Sequence, residues 1–125
     1  MERRKSWQAE DLDVFRRAYQ LSLQLHRASE YAGLADQLRR ASKSVCGLIV
    51  EGSGRQAASP KEFARYLMMA VGSAEETRLW LRYALDLGYM PSEQAEHWRE
   101  EVAHVIRMLQ GLRARLEARR EPSDH

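Results

Sequence analysis

Three groups of residues carry side chains of types and spacings that chemistry could use. His97, Glu101 and His104 fall at i, i+4 and i+7, and Glu101-Val-Ala-His104 has the Glu-x-x-His form that di-iron helical bundles use. Such a centre needs a second Glu-x-x-His and two further inward carboxylates. The chain holds no second copy, so no metal is expected, and the three residues read as solvated flanks of Trp98 and Val102. Cys46 stands alone in the chain with Ser42 and Ser44 nearby and no His on its helix. A nucleophilic thiol needs a base or a cationic neighbour, so Cys46 reads as a packed small residue. Glu51-Gly-Ser-Gly-Arg55 resembles part of a phosphate loop, but it lacks the Gly-x-x-x-x-Gly-Lys-Ser/Thr spacing and follows a helix instead of a strand. It reads as a helix stop with Arg55 exposed, at a turn whose N–H groups could face a phosphate. His26 reads as a surface residue. No catalytic residue and no cofactor are expected, and the chain is read as a non-enzyme.

Binding is a better prospect than catalysis. Arg39, Arg40 and Lys43 point away from the apolar stripe of their helix, and with Arg55 they are the candidate nucleic-acid contacts. The segment 34–61 carries these four and Lys61 against Asp36 and Glu51. The segment 107–120 carries five arginines against Glu117, while 75–101 is acidic. Charge therefore segregates into faces even though the formal net charge is only +2, and a basic face attracts phosphate. No aromatic residues interleave with these cations to stack bases. Contact with RNA or DNA would be backbone-directed and salt-sensitive.

The elements that must position these residues are helices, read from apolar spacing. The predicted spans are 12–29, 34–52, 60–87 and 91–118. The first places Val14, Ala18, Leu21, Leu25 and Ala28 on one stripe, and the second Leu34, Leu38, Ala41, Val45 and Leu48. The third places Phe63, Leu67, Ala70, Ala74, Thr77, Leu81 and Ala84, and the fourth Trp98, Val102, Val105, Leu109, Leu112 and Leu116. Gly33 separates the first two helices, and Gly52-Ser-Gly54 ends the second. Ser59-Pro-Lys-Glu62 is a start signal with a capping box. Gly88 with Pro91 is a stop. Short connections make sequential helices antiparallel neighbours, so the 125 residues form one all-α, up-down four-helix bundle domain, with residues 1–9 and 119–125 as mobile ends. No run reaches the ~18–20 apolar residues of a membrane span. With a single cysteine and no apolar run behind the basic N-terminus, a cytoplasmic location is expected.

Two helices carry more apolar surface than a bundle can cover. Val45-Cys-Gly-Leu-Ile-Val50 is apolar all round, and Met68, Gly72, Leu79 and Tyr83 lie opposite the core stripe of the third helix, flanked by Met69 and Trp80. A helix that is apolar on both sides needs a cover on both sides, and large exposed apolar patches are rare on monomers. Cys46, Val50, Met68, Met69, Gly72, Leu79, Trp80 and Tyr83 are the candidate interface of a homo-oligomer.

The stretches Asp11–Ala18, Gly33–Ala41, Glu51-Gly-Ser-Gly-Arg55, Glu62-Phe63, Ala70–Glu75 and Leu85–Tyr89 resemble, in order, a bacterial four-helix-bundle family. That family is named for proteins encoded in intervening sequences of large-subunit ribosomal RNA genes, and it is related to the accessory variability determinant of diversity-generating retroelements. The resemblance implies a homopentameric barrel with a positively charged surface, which in the retroelement relatives binds nucleic acid and a reverse transcriptase. Leu48 stands where relatives commonly carry Asn. The reading that follows is a non-enzymatic oligomer that binds nucleic-acid backbone. The alternative is an interaction adaptor, for a reverse-transcriptase-like partner for example, with no direct nucleic-acid role.

Overall fold

The computed structural model describes residues 12–28 and 32–119, apart from the side chains of residues 22, 23, 25–28 and 32. Of the ends expected to be mobile only Arg119 is described, as the last residue of the fourth helix, and the side chains of Leu25, His26 and Ala28 fall outside that description. Four helices make up the described chain, with no strand: α1 (Asp13–Ala28), α2 (Ala32–Ser53), α3 (Pro60–Asp86) and α4 (Ser92–Arg119). Gly33 does not separate the first two helices. It lies in the first turn of α2, where a Cβ would meet nothing.

Local sequence sets the ends of α3. Ser59 takes extended backbone angles, its hydroxyl accepts the Glu62 N–H at 3.1 Å, and Pro60 occupies the first helical position, where a missing N–H costs nothing. The capping box is only half made. The Ser59 N–H donates to the Arg55 carbonyl, and the Glu62 carboxylate turns to Arg65 at 3.1 Å. At the other end Gly88 adopts φ +72°. Its N–H bonds to Leu85 O and that of Tyr89 to Ala84 O, the paired bonds of a Schellman stop that a glycine allows without steric cost.

Each helix packs against its two neighbours in the ring α1–α2–α3–α4. Cross-links show α1 antiparallel to α4, with Arg17 meeting Glu101 and Gln24 meeting Trp98, and α2 antiparallel to α3, with Ser44 meeting Ser73 and Gly52 lying against Tyr66. The core they enclose includes Leu38, Val45, Ile49, Phe63, Leu67, Leu81, Trp98, Val102, Leu109 and Leu116, all nearly inaccessible to solvent. Two polar residues share it. Ser42 donates to the Arg39 carbonyl and Thr77 to the Ser73 carbonyl, so each hydroxyl is satisfied by its own helix, as buried polar groups must be. The small side chains Ala18, Ser42, Ala74 and Thr77 border a void of about 10 Å³ between the helices.

Helix α1 is fastened by polar bonds as well as by Val14, Ala18 and Leu21. Arg17 reaches Glu101 of α4 through two hydrogen bonds, of 2.8 and 3.1 Å, and the buried Trp98 indole donates to Gln24 at 3.0 Å. A two-pronged guanidinium–carboxylate pair fixes orientation as well as distance.

The closest helix approach lies at the end of α2. A Cβ built on Gly52 would fall 2.6 Å from the Tyr66 Cβ and 2.9 Å from a Phe63 ring carbon. Gly52 therefore lets α2 and α3 touch, and α2 runs through it to end at Ser53. The Tyr66 Cβ is fixed to the backbone of α3, so relief requires moving a helix. Gly52→Ala should destabilise the fold by about 1–3 kcal/mol by overpacking, against the usual gain of Ala in a helix. Gly111→Ala, whose Cβ would meet only the far end of Arg115 at 3.8 Å, should stabilise by ~0.5–1 kcal/mol. Denaturant midpoints of the two variants read both signs.

Candidate nucleic-acid interface

Helix α2 carries three of the four candidate phosphate contacts on its outer side. Arg40 and Lys43 are exposed and carry no carboxylate partner among the described residues. Arg39 is half-buried and pairs with Asp36 at 3.4 Å, one turn away. Arg55 lies beyond the helix end, ~18 Å along the axis from Lys43 at 1.5 Å per residue. It pairs with Glu51 at 3.8 Å and lies over the Tyr66 ring at 5.0 Å. Arg65 covers the same ring at 5.1 Å, so the buried Tyr66 has two guanidinium contacts. The hydrogen bond from Arg65 holds the Glu62 carboxyl below its ordinary range. The four candidates thus form no single cluster, and only Arg40 and Lys43 have their charge unspent.

The Gly-Ser-Gly turn offers nothing to a phosphate through its backbone. The N–H of Gly54 donates to Val50 O, that of Arg55 to Gly52 O and that of Gln56 to Ser53 O. These bonds close the end of α2, so the expectation of free N–H groups there is corrected. The motif is explained instead by the close packing at Gly52.

The seam between α2 and α3 contains a cleft. Ala41, Ser44 and Ser73 form its inner part, and Gln37, Arg40 and Glu76 its exposed rim. Its volume is about 180 Å³. The Ser44 and Ser73 hydroxyls are 2.8 Å apart and share one hydrogen bond. Arg40 and Glu76 rise on opposite walls without forming an ion pair. Sequence reading missed this cleft because it depends on which faces of two helices meet. The free Glu76 is equally invisible in a sequence where neighbouring Glu75 is bound to Arg78 at 3.6 Å.

The outward apolar residues divide into two sets. Met68 is 52% exposed, Tyr83 48%, Leu79 46% and Val50 44%, with Met69 and Gly72 also open to solvent. Leu87 and Tyr89, at the end of α3, are exposed too. Leu87 shares the wheel position of Met69, a signal that could have identified it. Cys46 and Trp80 differ from the rest: both are half-buried and pack against the core. The Trp80 ring contacts Tyr83 at 5.4 Å, and its indole N–H is buried with no acceptor among the described residues. Leu48 also packs against the core.

On α4, His97 is exposed and His104 half-buried, and Glu101 is bound by Arg17. Among the described residues no group of three His, Cys, Asp or Glu side chains is placed to hold a metal, and no helix is long and apolar enough to cross a membrane. Burial pushes the Cys46 thiol up to about 11, so almost no thiolate exists near neutrality. At pH 8 a disulfide reagent should label Cys46 in the folded protein about two orders of magnitude more slowly than an ordinary thiol, and at the ordinary rate after unfolding. Equal rates in the two states would contradict this packing.

Comparison with known proteins agrees with the architecture. The fold is similar to that of a protein with unknown function from the S23 ribosomal protein family of Bacteroides thetaiotaomicron VPI-5482. The TM-score is 0.70 at 21% identity, covering 79% of this chain and 96% of that one. At that identity the likeness is one of fold. No match was found among curated proteins. The family model of the 23S rRNA-intervening sequence protein matches residues 10–111, which span all of α1, α2 and α3 and most of α4. On that match, the chain belongs to the 23S rRNA-intervening sequence protein family.

Proposed function

We propose that this protein is a non-enzymatic homo-oligomer, pentameric as its family resemblance implies, that binds the backbone of RNA or DNA through the outer face of α2. The observation that carries the reading is the state of the cations there. Several arginines among the described residues are neutralised within their own helix, at i±3 or i±4: Arg16 by Asp13, Arg39 by Asp36, Arg65 by Glu62, Arg82 by Asp86 and Arg113 by Glu117. Arg40 and Lys43 carry no such pair among the described residues, as Lys61, Arg107 and Arg115 also do not, and the two of them sit one turn apart on a solvent-facing surface. An oligomer repeats that pair around its surface, and several weak phosphate contacts made together bind far more tightly than one. Arg39 and Arg55 support the face from either side, each already sharing its charge with a carboxylate.

A second reading has its own support. The exposed apolar ridge of α3, Met68, Met69, Leu79 and Tyr83, has the composition of an interface core. An adaptor that receives a partner protein on that ridge needs no nucleic acid. Affinity capture after nuclease treatment, recovering one protein in stoichiometric amount, would favour it.

Fluorescence anisotropy with a labelled single strand tests the first reading. Affinity should fall steeply between about 50 and 200 mM salt, because each neutralised phosphate contributes a slope of about −0.7 on a log–log plot. Reversing Arg40 and Lys43 together to Glu should weaken binding by more than about tenfold at low salt and flatten that slope by about 1 or more. Absence of binding at low salt, or binding indifferent to salt, would contradict the proposal.

A further inference from the structure

We infer that the outer seam between α1 and α2 is a stacking platform for single-stranded nucleic acid, on which the Tyr19 ring takes a base while Lys43 takes a phosphate of the same strand. The inference rests on the backbone-binding reading above and narrows its ligand to a single strand, whose bases are free to stack.

An aromatic pair on α1 supplies the first half of the argument. Phe15 and Tyr19 are one turn apart, with ring centroids at 5.8 Å and planes 11° from parallel. Phe15 is partly buried and packs against the core, whereas Tyr19 is 46% exposed. The inner ring thus holds the outer one. A base arriving on Tyr19 meets a ring already in place, so little side-chain freedom is lost on binding.

Helix geometry places this pair beside the cations. Arg17 and Gln24, which bind α4, lie on one flank of the α1 core stripe at 100° per residue. Phe15 and Tyr19 lie on the other flank, toward α2. On α2, Ser44 and Gly52 face α3, so the opposite flank, with Arg39 and Lys43, faces α1. The levels agree as well. Ala18 and Leu21 of α1 border the same small void as Ser42 and Val45 of α2, which brings Tyr19 and Lys43 to a similar height across the seam. Packed helix axes are about 8–10 Å apart, a gap that one nucleotide bridges between phosphate and base. Lys43 is exposed and has no carboxylate partner among the described residues. Arg40 stands one turn back along α2, for a neighbouring phosphate.

A positive track beside an exposed aromatic ring is how proteins hold single strands with little regard to sequence. A duplex keeps its bases stacked inside and offers the ring nothing. The cations of α2 have no aromatic residue among them in the sequence; the neighbouring helix provides it. The platform is also separate from the apolar ridge, because α1 and α3 are diagonal in the ring of helices. Exposed Val50 lies about 10 Å along α2 from Lys43.

The test uses anisotropy at low salt with three labelled probes: a ten-nucleotide oligothymidine, the same strand with abasic sites at its central positions, and the duplex with its complement. The parent protein should bind the intact strand at least about fivefold more tightly than the abasic one, the low end of what one stacked base contributes. Tyr19→Ala, at an exposed position, should bind the two strands alike, and Tyr19→Phe should keep the preference, since the ring and not the hydroxyl is used. Tyr19→Ala should leave the salt slope unchanged, because no phosphate contact is lost, while Lys43→Ala should flatten it by about 0.7. Equal binding of intact and abasic strands by the parent protein, or a preference that survives Tyr19→Ala, overturns the inference while the backbone reading stands. A loss in Tyr19→Ala that extends equally to the duplex overturns it too, since the ring would then be structural. Failure to bind any of the three probes overturns both readings.

Discussion

The close approach of α2 and α3 at Gly52 governs much of what this molecule can do. With no side chain at that point, the end of α2 rests directly on the Tyr66 Cβ and the Phe63 ring, and the register of the two helices is set from there. Counting back antiparallel from Gly52 opposite Tyr66 brings Ser44 within one residue of Ser73, with which it shares a hydrogen bond. About one turn further lie Arg40 and Glu76, at the rim of the cleft. The contact also orders the bundle end, where Arg55 and Arg65 lie over Tyr66. A larger residue at position 52 would move all of these together.

Charge is distributed on the same plan. Ion pairs within a helix contribute only about 0.3–0.5 kcal/mol each at the surface, so their number says little about stability. Their effect on function is larger, because they remove most cations from competition for a polyanion. Arg40, Lys43 and Glu76 are among the charges left over, with Lys61, Arg107 and Arg115 among the described cations. Arg17 and Glu101 do a different job, holding α1 to α4 with two bonds in a partly buried site.

Much of the fold was legible in the residues. Heptad-like spacing located all four helices, and Ser59-Pro60 and Gly88 marked the two ends of α3, because caps and left-handed stops are local physics. Gly33 misled, since a glycine in a first turn can be helical when nothing crowds it. Gly52-Ser-Gly54 marked the end of α2, which falls at Ser53, but that Gly52 is also a point of contact between helices is a feature only tertiary packing reveals. The candidate site was legible in part. Outward direction identified Arg40 and Lys43, but the pairing of Arg39 and Arg55 depends on rotamers, and the cleft on the meeting of two faces. Cys46 and Trp80 sat near the outward angle on a wheel, yet lean into the seams between helices and pack against the core.

What remains uncovered is the outer ridge of α3. Met68, Leu79 and Tyr83 are each about half exposed along a helix whose opposite side is the core, and Leu87 and Tyr89 extend the apolar surface at its end. Val50 on α2 is exposed as well. An apolar surface of this kind is covered by a second copy in a homo-oligomer. Light scattering on a size-exclusion column measures this most directly. The account predicts a mass several times the 14.5 kDa of one chain, five-fold if the family resemblance holds in full; a mass of 14.5 kDa across micromolar concentrations would contradict it.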